Sequence, residues 1–264
     1  MRLTCGFAGT TNMTAAEHRA FFGISALLFA ASATLTIAWC TSMSSMGRMP
    51  MPGGWTMSMA WMRMPGQTWA AAAASFLGMW VVMMVAMMLP SLVPMLWRYR
   101  QDVGSGLTAV VGAGYFFVWT MIGAAVFPLG IALAAMEMQQ PAVARAVPTA
   151  AGVVVVMAGA IQFTAWKARH LACCREIPER TLPARVRTAW RDGLRLGLHC
   201  GFCCAGATAI LLVIGVMDLR AMAAVAAAIT AERLAPAGER VARAIGTVVI
   251  VAGLLLTARA IGLR

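Results

Sequence analysis

Seven apolar runs constrain this chain more than any other feature. They cover residues 21–39, 68–97, 107–136, 148–167, 194–217, 220–235 and 243–260. A helix needs about 20 mainly apolar residues to cross the hydrocarbon core of a bilayer. Lipid offers a backbone no hydrogen-bond partners, so runs of this kind must be helical. Charged residues make up only 11% of the sequence and apolar ones 61%, against about 25% charged in soluble domains. The excess apolar surface has to face lipid or pack inside a bundle. The expected fold is an all-α, polytopic membrane protein, a helical bundle of about seven spans. The run at 220–235 is short and Ala-rich, and the count falls to six if it is re-entrant. The first run lacks a nearby small-x-small cleavage pattern and reads as a retained span. Residues 1–20 then form an N-terminal segment, and 21–264 a single helical membrane domain.

The basic residues set an orientation. Net charge is +12, with 21 Lys and Arg against 9 acids. On a soluble protein this would point to nucleic acid. Here the cations fall between apolar runs, so nucleic acid is not an expected partner and the lipid bilayer is. The segment from Lys167 to Arg195 holds eight of them, and such loops stay cytoplasmic. The basic loop 168–193 is therefore inside, as is the N-terminus four spans earlier. The loops 40–67 and 137–147 fall outside. The expected location is a bacterial inner membrane. Glu232 and Arg233, at the end of the sixth run, read as a membrane boundary.

Sulfur is the chemical signature. Of 22 methionines, 14 lie between Met43 and Met95. Eight occupy the outer loop 40–67: Met43, Met46, Met49, Met51, Met57, Met59, Met62 and Met64. In the second run, Met79, Met83 and Met87 are spaced i, i+4, i+8, with Met84 and Met88 repeating that step one residue on. Such spacing stacks side chains on one helical face. Thioether is a soft ligand that suits Cu(I), although Met also fills irregular gaps in a core. Pro90 and Pro94 close this run and predict a kink.

Five of the seven cysteines form two clusters. One is His170-Leu-Ala-Cys173-Cys174, at the inner end of the fourth run. The other is His199-Cys200-Gly-Phe-Cys203-Cys204, near the inner start of the fifth. On a helix Cys200, Cys203 and Cys204 share a face. The topology puts both clusters at one membrane depth, so together they offer a four-ligand metal site. The candidate ligands are Cys200, Cys203, Cys204, His199, Cys174, Cys173 and His170, with Met83, Met84, Met87 and Met88 above them. Cu(I) is the expected ion, because carboxylates are scarce beside the clusters, and zinc is the alternative. Neither a phosphate-binding glycine loop nor a dinucleotide glycine pattern occurs, and no enzymatic activity is expected.

These residues carry a family resemblance. Trp80-Val-Val-Met83-Met-Val-Ala86-Met87-Met88-Leu-Pro90 resembles the Trp-x-x-Met-x-x-Ala-Met-Met-x-Pro signature of an uncharacterised bacterial family of predicted metal-binding integral membrane proteins. Lys167 through Pro178 is similar to that family's Lys-x-x-Cys-Leu-x-x-Cys-Arg-x-Pro pattern. Cys200 through Cys204, Gly215-Val-Met217-Asp218 and Glu232 are similar to its third segment. The resemblance runs from about residue 75 to 260. His170 stands where the family has its first loop cysteine, and Asp218 where Asn is usual. The resemblance implies metal binding without naming the ion.

Three functions compete at this stage. The first is a Cu(I)-handling membrane protein, either a transporter or an insertion and assembly factor, whose partner is a metallochaperone or a metalloenzyme being loaded. The second is a membrane thiol–disulfide oxidoreductase, which leaves the methionines without a role. The third is a structural subunit whose zinc pins a pair of helices.

Overall fold

Each apolar run becomes a helix, and most of the helices outrun the stretch that seeds them. The computed structural model describes residues 14–45, 49–58, 61–63, 66–175 and 185–262. Among these lie eight helices: α1 (Ala15–Ser45), α2 (Trp69–Val103), α3 (Ser105–Gln139), α4 (Pro141–Ile161), α5 (Ala165–Arg175), α6 (Val186–Ile214), α7 (Leu219–Leu234) and α8 (Gly238–Ala260). Two short strands, β1 (Met49–Met51) and β2 (Trp55–Met57), join α1 to α2. The result is an all-α polytopic bundle. Met46, Met59, Met64 and Cys5 lie outside the described residues.

Local chemistry sets the helix ends. The Thr68 hydroxyl accepts from the Ala71 amide at 3.2 Å and starts α2. Gly104, at φ 85°, breaks α2 from α3. Pro141 opens α4 at a position where its missing amide proton costs nothing. The Asp218 carboxylate accepts from the amides of Arg220 and Ala221, both at 2.9 Å, and caps α7. That is the role of the acid the sequence places between the fifth and sixth runs.

Six helices are long and apolar enough to cross a membrane: α1, α2, α3, α4, α6 and α8. Helix α7 has 16 residues, about 24 Å at 1.5 Å per residue, short of the roughly 30 Å hydrocarbon core. It still runs between the two ends of the bundle. It starts where Met217 Sδ meets Cys40 Sγ at 3.8 Å, near the end of α1. It finishes where Arg175 donates to the Ala235 carbonyl at 2.6 Å.

Two expected boundaries shift. The fourth run does not continue to residue 167. It stops at Ile161, and the chain turns through Gln162–Thr164 into α5, a separate short helix that carries Lys167, His170, Cys173 and Cys174. The helix of the fifth run starts eight residues earlier than its apolar stretch, and the added turns of α6 carry Arg187 and Arg191. Helix α2 remains continuous through Pro90 and Pro94.

Part of the Met-rich loop forms a hairpin. Strands β1 and β2 pair antiparallel, with Met49 opposite Met57 and Met51 opposite Trp55. Met51 and Met57 are buried in a small core with Ala134 and Ala144. The Trp55 indole donates to the Ala144 carbonyl at 2.8 Å. The hairpin is thereby fastened over α3 and α4, and two of the loop sulfurs are spent on packing.

Small residues let helices touch backbone to backbone, the usual device where lipid removes any hydrophobic drive between helices. A Cβ on Gly114 would sit 2.8 Å from the Trp190 carbonyl oxygen, and one on Gly193 would collide with the Val111 carbonyl. This fixes α3 against α6. Gly152 and Gly159 on α4 meet α8 in the same way, opposite Gly253 and Gly246. Further along α3, a Cβ on Gly123 would collide with the Trp80 ring and one on Gly130 with that of Trp61, while Gly112 faces open space. Gly193→Ala should therefore overpack the α3–α6 contact at a cost of about 1–3 kcal/mol. Thermal unfolding in detergent should show a clear drop in Tm for Gly193→Ala and none for Gly112→Ala. Equal Tm values would mean that the α3–α6 contact is loose.

Candidate metal centre

The α3–α6 contact positions the centre. Four residues beyond Gly193, Gly197 lies against the Tyr115 carbonyl, where a Cβ would approach to 2.9 Å. The next inward-facing residue of α6 is Cys200, which is fully buried. Its Sγ lies 2.9 Å from the Tyr115 hydroxyl, 3.8 Å from Cys204 Sγ and 4.0 Å from Met88 Sδ. Cys204 and Met88 are each 1% exposed. Cys203 sits one step round the helix, within electrostatic range of the buried thiol of Cys174 on α5. Four thiols and one thioether, from α2, α5 and α6, thus occupy one buried region.

The other candidate ligands separate from it. Cys173 is exposed on the far side of α5. His170 and His199 are half-buried and pair with each other, Nδ1 to Nδ1 at 3.2 Å. Met83, Met84 and Met87 are buried in the central core with Met79 and Met88. Among the described residues, no three His, Cys, Asp or Glu side chains converge as they stand on a point that could hold a metal ion.

Charge surrounds the thiols, and most of it is hidden from water. Lys167 Nζ donates to Glu232 Oε2 at 2.7 Å and to the Cys203 carbonyl at 2.8 Å. Gln162 Nε2 donates to the other oxygen of Glu232 at 2.9 Å. Both members of this ion pair are 4% exposed. Next along α7, Arg233 is 7% exposed. One of its nitrogens donates to the Ser91 hydroxyl at 2.9 Å. Its Nε and Nη2 have no partner among the described residues, and it lies within electrostatic range of Cys200, Cys204, Cys174 and Tyr115. Lys167 and Glu232 neutralise one another, so among the described residues the guanidinium is a buried cation without an acidic partner.

Sequence reasoning missed Tyr115, Arg233 and the Lys167–Glu232 pair as neighbours of the thiols. Glu232 and Arg233 do not mark a boundary; they point into the bundle. The available signal was the general rule that ionisable residues within apolar helices face the interior. Removing one partner of a buried ion pair strands the other and costs about 3–5 kcal/mol, whereas replacing both with apolar residues is often neutral. Glu232→Leu or Lys167→Met alone should strongly lower the yield and Tm of folded protein. The double variant should recover much of the loss. A double variant as unstable as the sum of the singles would show that the pair is not coupled.

A family model described as "PpoB2: Copper chaperone" matches residues 77–256, about two thirds of the chain. No curated protein matches the chain. No solved structure matches it.

Proposed function

The chain belongs to the PpoB2 family, described as copper chaperones, and from that premise we propose that it holds Cu(I) as cargo on its buried sulfur cluster. The ligands are the thiols of Cys200 and Cys204, with Cys203, Cys174 and the thioether of Met88 in reserve. The observation that carries this reading is the set of sulfurs around Cys200, at 3.8 Å and 4.0 Å, within electrostatic range of Arg233, whose Nε and Nη2 have no partner among the described residues. Cu(I) is satisfied by two or three soft sulfur ligands and needs no carboxylate. An ion held by two thiolates carries a single negative charge, and Arg233 supplies the opposite one. Structural zinc calls for four ligands at tetrahedral positions, a demand that the described side chains do not meet as they stand.

The role that follows is non-catalytic: the protein receives copper, keeps it from water, and yields it to a partner that needs loading. Six membrane-length helices suit a multi-pass protein in which this exchange takes place within the bilayer. The buried methionines of α2 extend from Met79 to Met88, about 13 Å along the helix axis, and Met88 reaches Cys200. They form an apolar sulfur route to the thiols from the hairpin end.

The test uses full-length protein purified in detergent without oxygen and titrated with Cu(I) against a chromogenic chelator. Cys200→Ser with Cys204→Ser should weaken binding at least tenfold, while Met88→Leu weakens it less. Met83→Leu with Met87→Leu preserves volume and apolarity, so Tm and equilibrium binding should hold while copper acquisition in cells slows. Unchanged copper affinity in the cysteine variant would reject the site. Normal acquisition by the methionine variant would reduce those residues to packing.

A further inference from the structure

We propose that His170 and His199 form a second Cu(I) site, separate from the buried thiols and next to them. This rests on the copper reading above. The two imidazoles come from different helices, α5 and α6, and face each other through the same ring atom, Nδ1 to Nδ1, at 3.2 Å. Two imidazoles on a two-coordinate, near-linear Cu(I) at about 2 Å each hold their nitrogens about 4 Å apart. The rings therefore need to part by only about 1 Å to admit a single ion.

Aromatic rings flank the pair. The ring of Trp166 packs edge-on to His170, with centroids 4.7 Å apart, and that of Phe202 lies 5.3 Å away. Both rings are themselves exposed, and the Arg195 cation lies within electrostatic range of His199. Imidazole binds copper and zinc alike, whereas thiolate prefers Cu(I). The half-buried histidine pair is thus the less selective and more accessible of the two positions, and the thiols are the tighter one.

The spacing along both helices ties the two positions together. His170 precedes Cys174 by four residues on α5, and His199 precedes Cys203 by four on α6. The imidazoles meet each other, and the thiols of Cys174 and Cys203 are buried in one core cluster. On either helix the two pairs are one turn apart, about 6 Å along the axis. An ion at the histidines is within one short step of the sulfur cluster.

The experiment is an anaerobic Cu(I) titration of the full chain in detergent, followed by copper X-ray absorption at one and at two equivalents. Wild type should take up two ions, the first with sulfur neighbours and the second, weaker one with nitrogen neighbours. His170→Asn with His199→Asn should remove only the second. Cys200→Ser with Cys204→Ser should leave the nitrogen signal in place. The wild-type spectrum at two equivalents reads the site without any substitution, so a variant that folds badly does not leave the question open. A second equivalent without nitrogen neighbours, or a histidine variant with wild-type stoichiometry, would mean a hydrogen-bonded pair only and would leave the thiol site standing. Loss of sulfur-ligated copper at the first equivalent would instead overturn the reading on which this inference rests.

Discussion

The contact between α3 and α6 is made of backbone, and the centre depends on it. Gly114, Gly193 and Gly197 bring the two helices so close that no side chain fits between them. Cys200 follows three residues after the last of these and meets the Tyr115 hydroxyl. A wider α3–α6 separation would move Cys200 away from both Tyr115 and Met88. The thiols are held by the rigidity of α3 and α6, and neither sits on a loop.

Burial of charge is the second constraint. A bundle whose outside is apolar can keep Lys167, Glu232 and Arg233 inside only if each is answered. Lys167 and Glu232 answer each other, with Gln162 and the Cys203 carbonyl completing their shells. Arg233 is answered in part, by Ser91. The remaining demand lies near the thiols, so the electrostatics and the ligand chemistry converge on one place. Neighbouring residues of α7 thus have different surroundings: Glu232 pairs with Lys167 of α5, and Arg233 lies within electrostatic range of the thiols.

Much of the architecture is legible in the sequence because lipid-length apolar runs allow one local answer, the helix. The α6 thiols are legible for a similar reason, since four-residue spacing puts Cys200 and Cys204 on one face. What the sequence hides depends on contacts between distant residues. Lys167 reads as one more cation of a basic loop until α7 brings Glu232, 65 positions later, to within 2.7 Å. His199 reads as a ligand beside Cys200, but the 100° step between neighbouring helical residues turns it toward α5 and His170. Cys173 reads like Cys174, and the same step leaves it exposed. In the Met-rich loop, composition does not reveal that Pro52-Gly53-Gly54 closes a hairpin. That turn puts Met51 and Met57 into a small core.

The central claim is that the buried sulfurs hold copper. It is tested most directly by metal analysis and X-ray absorption on the wild-type chain, isolated anaerobically from cells grown with both copper and zinc and given no metal afterwards. About one copper per chain, in the monovalent state and surrounded by sulfur, is the expected result. Zinc in its place, or copper with only oxygen and nitrogen neighbours, would contradict it.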